Sequence, residues 1–530
     1  MASHRSSVAT VGFLAAMSLL LTACGGGDSG GGNSGGGEGG KTLVIDRAFD
    51  LKSADPARSY EHTGSTVAHA LYDTLLTFEG ADVTQPKPGL ATVESDPTSS
   101  TFTVKLQGQR HFSDGAPVTA DDVVFSLQRV QGVKGSPSFL LDGVKIEKVD
   151  DTTVKLTTDK PMPALPYILP NPALGIVNKA VVEGNGGSLT PKDGAEAYLN
   201  ANSAGSGPYM IESLDLKSQV VFKANPQYDG PKKPALSRVV MRNVETASQA
   251  VNIKSGDSML ALDLTGDQVK GMPENVKVTS GPSANVIFLL LNQSPAVNKW
   301  TSNPDFVKAV KSAIDYNALL EVAGEGSVQA AGVIPSMFLG ALDKGDAITH
   351  DTAAAAAALK ASGYNGDKVT LNYPNDITLN GVQFTSLAER IQSQLRTAGI
   401  NVELAPAPVA TELDAYRGGK EVIGLWYWGP DYPDPADYLV FTPGDLVGLR
   451  AKWEAGADPT IAPLVEKARA GGTDDERKAA FQAVGKRLNE AGPFVPLVQP
   501  AVNLAAVSSL TNVVYNPVWT IDFADIGTDG

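Results

Sequence analysis

Residues 286–291 read Val286-Ile287-Phe288-Leu289-Leu290-Leu291, six apolar residues in a row. A run that short and uniform fits a strand buried on both faces, and it is far too short to span a membrane. The segments on its carboxyl side decide the fold class. Phe306 to Leu320 reads as a helix, Thr352 to Lys360 as an alanine-rich helix ending before Gly363, and Leu387 to Leu395 as a helix ending before Gly399. Between them Val369-Thr370-Leu371-Asn372-Tyr373 and Val402-Glu403-Leu404 read as strands. Strands alternating with helices predict a lobe built of βα units.

Outward from that lobe, toward the amino terminus, the pattern is mixed. Thr42 to Arg47 reads as a strand and Phe102 to Leu106 alternates as a half-buried one. Ser53-Ala54-Asp55-Pro56 is a turn, since proline fixes φ and aspartate can bond the following backbone. Thr66 to Phe78 carries apolar residues at 67, 68, 71, 75 and 76, the spacing of a helix. Thr119, with Asp122 three residues on and Val118 able to pack on Val123, marks a helix start. There is no internal repeat.

The chain has 530 residues and one cysteine, Cys24, preceded by Leu21-Thr22-Ala23. His4 and Arg5 open a short basic head, and an uncharged apolar stretch from Val8 to Leu21 comes next, so residues 1–23 read as a secretory signal peptide. The Leu-Thr-Ala-Cys ending resembles the lipobox of bacterial lipoproteins, which would make Cys24 a lipidated amino terminus. Gly25 to Gly40 contains eleven glycines and no apolar side chain, so nothing offsets the entropy of ordering it. As a coil, it would hold a globular body about 20–24 Å off a membrane. Within it, Gly27-Asp28-Ser29-Gly30-Gly31 copies a serine-protease nucleophile motif, but a flexible tether supplies neither a base nor an oxyanion hole. The net charge of −15 argues against nucleic acid, which needs clustered Lys and Arg, and suits a cationic ligand.

The ordered set of short stretches resembles family 5 extracellular solute-binding proteins, the peptide- and nickel-binding subunits of ABC importers. The stretches are Ser53-Ala54-Asp55-Pro56-Ala57, Leu71-Tyr72-Asp73-Thr74-Leu75, Phe112-Ser113-Asp114-Gly115 and the run from Thr119 to Ser126. Further on come Ser206-Gly207-Pro208-Tyr209, Asn225-Pro226-Gln227-Tyr228, Ala313-Ile314-Asp315, Ala361-Ser362-Gly363-Tyr364 and the run from Trp428 to Pro435. The stretches Val307 to Lys311 and Gly256-Asp257-Ser258-Met259 depart from the family pattern. The resemblance implies a two-lobed, periplasmic-binding-protein-like α/β fold with a hinge. Lobe one would span residues 41–284 with a subdomain inserted at about 78–207, lobe two 285–494, and residues 495–530 would return to lobe one.

Residues 422–438 offer the best candidate pocket, because Trp426 and Trp428 share one side of a strand and tyrosines and aspartates come immediately after. In peptide-binding relatives the aspartate matching Asp431 holds the peptide's α-ammonium. Tyr432 lies beside it, and the loop Tyr60-Glu61-His62 faces the ligand from lobe one in relatives. His62, His69, His111 and His350 show no metal-ligand spacing, so neither a metal nor a cofactor is expected. The resemblance therefore implies a lipid-anchored, monomeric binding protein without catalysis, delivering oligopeptides to a membrane permease. A metal chelate or saccharide is the rival ligand; an exported hydrolase or a tethered receptor would be a rival of another class.

Overall fold

The structure, a computed structural model, describes residues 41–529; residues 1–40, on which the signal-peptide, Cys24 and tether readings fall, lie outside the described residues. Two sheets divide the body. The first has seven strands, in spatial order Val276–Pro282, Ala501–Val507, Leu260–Ala261, Thr42–Arg47, Arg238–Asn243, Gln219–Ala224 and Tyr209–Asp215. Thr42–Arg47 lies parallel to both its neighbours. Its inward residues Leu43 and Ile45 are fully buried in a core shared with Val239, Met241 and Phe222.

The second sheet runs Val328–Gln329, Phe494–Gln499, Val286–Leu291, Ile423–Trp428, Val369–Pro374 and Val402–Ala407. Val286–Leu291 is the central strand foreseen from its apolar run, buried along its whole length. The βα alternation holds for Val369–Pro374, which is parallel to Val402–Ala407 and Ile423–Trp428. Val286–Leu291 itself is antiparallel to both neighbours, so the sheet is mixed rather than purely parallel.

A third, four-stranded sheet (Ala91–Ser95, Thr101–Leu106, Thr153–Thr158, Val144–Lys148) is inserted into lobe one. The helix Ala120–Val133 packs on it, and its start is the predicted one: Thr119 accepts from the Asp122 backbone N–H while Asp122 accepts from that of Thr119. The core of the insertion closes at Ile176, whereas Val177, Val182, Leu199 and Ala204 pack into the lobe-one core. The compact insert thus stops some thirty residues short of the expected 207.

Three further readings are corrected by the packing. The helix expected over 66–78 runs from His62 to Leu71, and Leu76–Glu79 is a strand paired with Asp82–Pro88. Apolar residues at 75 and 76 answered to the insert's core, not to a helix face. The helix expected over 306–320 is two, Pro304–Ala313 and Tyr316–Ala323, because Ile314 is extended and Asp315 caps the second by accepting from the Ala318 N–H (3.1 Å). The return to lobe one, expected at 495, comes at Pro500, because Phe494–Gln499 still pairs with Val286–Leu291.

The two crossings between lobes lie side by side. The Ser283 N–H donates to the Pro500 carbonyl (2.8 Å), and the Gln499 side chain donates to the Ser283 carbonyl (2.9 Å). A pair of short linkers tied to each other is the form of a hinge. No described helix is long and apolar enough to cross a membrane.

Candidate functional site

A cavity of about 220 Å³ lies between the lobes, beside the crossing at Ala284 and Asn285. Lobe one lines it with Tyr60, His62, Ser65 and Tyr515, the insertion with Asn171, and lobe two with Phe338, Tyr427 and the turn from Gly429 to Pro433. Asp431 is the carboxylate that faces it.

Asp431 is where the lobes meet. The Tyr60 hydroxyl donates to its Oδ1 (2.9 Å) and lies 3.3 Å from its carbonyl oxygen, which also accepts from the Asn171 side chain (3.2 Å). A third contact farther out joins Gln85 of lobe one to Asp474 of lobe two (2.7 Å). The structure is therefore a closed arrangement, with a lobe-one hydroxyl on the lobe-two carboxylate.

The turn is held from behind. The Asp431 N–H donates to Asp437 Oδ2 (3.2 Å), which also accepts the Trp428 indole N–H (3.3 Å). Asp437 is buried, and its pKa is pushed well up by burial and then by the charge of Asp431. Burial raises Asp431 too, against the lowering effect of the Tyr60 hydroxyl. Burial also raises Tyr60, as does the adjacent Asp431 charge. Two neighbouring carboxyls cannot both ionise cheaply without a cation beside them, so this wall of the cavity favours positive charge.

The third carboxylate of the segment does other work. Asp434 is fully buried, pairs with Arg477 (2.5 Å) and caps the short helix Pro435–Phe441 by accepting from the Ala436 N–H (2.9 Å). That pair fixes the turn on the long helix Asp474–Ala491.

The remaining sequence-derived residues separate. His62 lines the cavity and is open to it, and the surrounding walls, followed by Arg47, lower its pKa. Tyr432 lines it next to Asp431. Glu61 does not reach it: its carboxylate accepts from the Tyr60 N–H (3.2 Å) and pairs with Lys52 (2.9 Å). Trp426 is buried elsewhere, stacked on Tyr416 (4.4 Å) and donating to both oxygens of Glu421, whose pKa burial pushes up to about 9. Trp428 stands one layer behind the cavity on Asp437. The residue of that strand lining the cavity is Tyr427, on the opposite side from the two tryptophans. Sequence reasoning passed over Tyr427, Asn171, Asn285, Phe338 and Tyr515; the strand alternation that grouped the tryptophans was the one signal pointing to Tyr427. Among the described residues no cluster of His, Cys, Asp and Glu has the makings of a metal site.

The model of bacterial extracellular solute-binding proteins, family 5, matches residues 85–445, and the chain belongs to that family. It is 29% identical over 496 residues to the probable D,D-dipeptide-binding periplasmic protein DdpA of Escherichia coli K12, covering 90% of this chain and 92% of that one. It shares its fold with the ABC transporter substrate-binding protein CtaP of Listeria monocytogenes (TM-score 0.79, 22% identity, 92% and 99% covered). The same holds for DppA of Helicobacter pylori in complex with the peptide STSA (TM-score 0.73, 22% identity, 93% and 98% covered). The protein is thus an extracytoplasmic substrate-binding component of an ABC transporter, which captures its substrate between two lobes for a membrane permease.

Proposed function

We propose that the substrate is a short peptide whose amino terminus is held by Asp431. The observation carrying this reading is the cavity-facing carboxylate backed by a second, buried carboxyl, both raised in pKa and both calling for a cation. A dipeptide-binding protein stands among the relatives and a peptide complex among the fold neighbours. The cavity, at about 220 Å³, lies below the roughly 300 Å³ at which drug-sized sites begin, and favours a ligand of dipeptide size. Phe338, Tyr427 and Tyr432 supply apolar walls, which suits small apolar side chains.

Because Asp431 belongs to lobe two and Tyr60 to lobe one, ligand and closure are coupled: contacts from both lobes are gained only when the cleft shuts. Small-angle scattering should give a larger radius of gyration for the free protein than for the protein saturated with D-alanyl-D-alanine or L-alanyl-L-alanine. A radius indifferent to both dipeptides, at concentrations where calorimetry shows binding, would remove the coupling.

The body is read as tethered to the membrane by acyl chains on Cys24, through the glycine-rich stretch ending at Gly40. That stretch offers no apolar side chain, so Cys24→Ala should move the protein from the membrane fraction to the soluble one. A Cys24→Ala protein that stays with the membranes would show that the anchor lies elsewhere.

A further inference from the structure

One stretch of the inserted subdomain faces lobe two. Residues 163–171 read Pro163-Ala164-Leu165-Pro166-Tyr167-Ile168-Leu169-Pro170-Asn171, and Leu165–Ile168 at their centre is a single helical turn. Leu165, Ile168 and Leu169 are buried in the core of the insertion. A spacing of four places Pro163, Tyr167 and Asn171 together on another side of that turn. Each of these three meets lobe two.

Pro163 packs beside Gly471, in the connection between the helices Ala462–Arg469 and Asp474–Ala491; a β-carbon placed on Gly471 would lie 3.4 Å from that of Pro163. The Tyr167 ring is 8% exposed and lies under the Arg477 guanidinium, 5.4 Å from the ring centroid, which is the geometry of a cation–π contact. Asn171 donates to the Asp431 carbonyl (3.2 Å). Arg477 in turn holds Asp434, so Tyr167 presses on the residue that fixes the Asp431 turn. Around Tyr167 an apolar cluster spans both lobes, with Phe78 and Val83 on one side and Ala468 and Phe481 on the other. Of the three facing residues only Asn171 lines the cavity.

We infer that the face formed by Pro163, Tyr167 and Asn171 is a clasp by which the insertion shuts on lobe two and sets how long a captured substrate stays. Pro163 and Tyr167 are positioning residues that touch no ligand. Their contacts form only when the cleft closes, so they stabilise the closed form and deepen the well from which a substrate must escape. Entry takes place through the open form and does not use them. Packing and a cation–π contact between lobes are indifferent to what lies in the cavity, so the clasp acts on any substrate and goes beyond the peptide reading.

Stopped-flow kinetics with L-alanyl-L-alanine on wild type, Tyr167→Ala and Tyr167→Phe tests this. Tyr167→Ala should release the dipeptide at least about tenfold faster, with an association rate within about twofold of wild type. Tyr167→Phe keeps a ring under the guanidinium and should behave as wild type. The melting temperature of ligand-free Tyr167→Ala should match that of wild type, because the ring has no lobe-two contact to lose in the open form. An unchanged release rate in Tyr167→Ala would overturn the proposal, as would a melting temperature lowered equally with and without ligand, the mark of a merely structural tyrosine.

A second measurement needs no identified ligand. Cys24 is the one cysteine of the chain, so in a Cys24→Ala protein the substitutions Pro163→Cys and Gly471→Cys supply the only two thiols, close to the β-carbon separation of a disulfide. Diamide should join them, with loss of both free thiols and a compact radius of gyration in the absence of ligand. Thiols that stay free under diamide would show that the insertion does not reach lobe two, and the clasp would be discarded. If L-alanyl-L-alanine does not bind the wild type, the peptide reading fails and the cross-link decides the clasp by itself.

Discussion

Asp431→Asn should weaken binding of a free-amine dipeptide by roughly thirty- to two-hundredfold, equivalent to about 2–3 kcal/mol. The side chain keeps its shape, and asparagine Oδ1 can still accept the Tyr60 hydroxyl now held at 2.9 Å, so the lobes should close as before. What is lost is the charge opposite an ammonium taken out of water. The figure sits at the lower end of the range for buried charge pairs because Asp431 is only half-buried. N-acetylation of the dipeptide removes the same interaction from the other side. It should cost the wild type a similar factor and the variant little more, so calorimetry on the four combinations reads the coupling directly. Full affinity for the acetylated dipeptide, or for the free one in Asp431→Asn, would leave Asp431 as a turn residue and take the amine out of the recognition.

The second large effect concerns the fold. Arg129 is 1% exposed and donates to both oxygens of Asp55 (2.7 and 2.6 Å) and both of Asp193 (2.8 Å each). Asp55 sits in the Ser53-Ala54-Asp55-Pro56 turn, Arg129 on the helix of the inserted subdomain, and Asp193 on the segment returning to lobe one, so a single guanidinium joins three parts of the chain. Replacing it by methionine leaves two buried carboxylates with only the longer contacts of Arg58 as compensation, and removal of one partner from such a site typically costs about 3–5 kcal/mol. Arg58 reaches the same aspartates at 3.4 and 3.2 Å but is partly exposed, and Arg58→Ala should cost about 1 kcal/mol or less. Urea unfolding should rank the two variants in that order. The pH dependence has a definite sign. In the native protein Asp193 is held below the usual carboxylate range despite its burial, by Arg129 and by backbone N–H groups. A carboxylate with a lowered folded pKa contributes stability present above its unfolded pKa and lost as pH falls through the folded one. Arg129→Met loses that contribution, so its deficit should be largest near neutrality and shrink in acid as the aspartates protonate. Equal midpoints for wild type and Arg129→Met at pH 7 would sink this account.

The same contrast explains the three aspartates of the 431–437 turn. Asp434 found an arginine and became part of the frame, Asp437 found an indole and a backbone N–H, and Asp431 was left facing the cavity. Equal in sequence, they differ in role because each met a different distant partner.

Local physics made much of this protein legible without its tertiary structure. The strand Thr42–Arg47, the Thr119–Asp122 helix start, the alanine-rich helix Thr352–Ala361 and the buried strand Val286–Leu291 all depend on neighbours a few residues away. Periodicity, capping and turn chemistry therefore announce them, while the family resemblance was carried by short stretches such as Ser53–Ala57 and Trp428–Pro435. Alternation also put Trp426 and Trp428 on one side of a strand, but it could not say which side meets the cleft. That was decided by Tyr416 and Glu421, which claimed Trp426, and by Asp437, which claimed Trp428, leaving Tyr427 to line the cavity. The contact that closes the site joins Tyr60 to Asp431 across 371 positions of sequence. Relative orientation is a property of the backbone period; what a side chain faces is set by segments far along the chain, and only the folded protein brings them together.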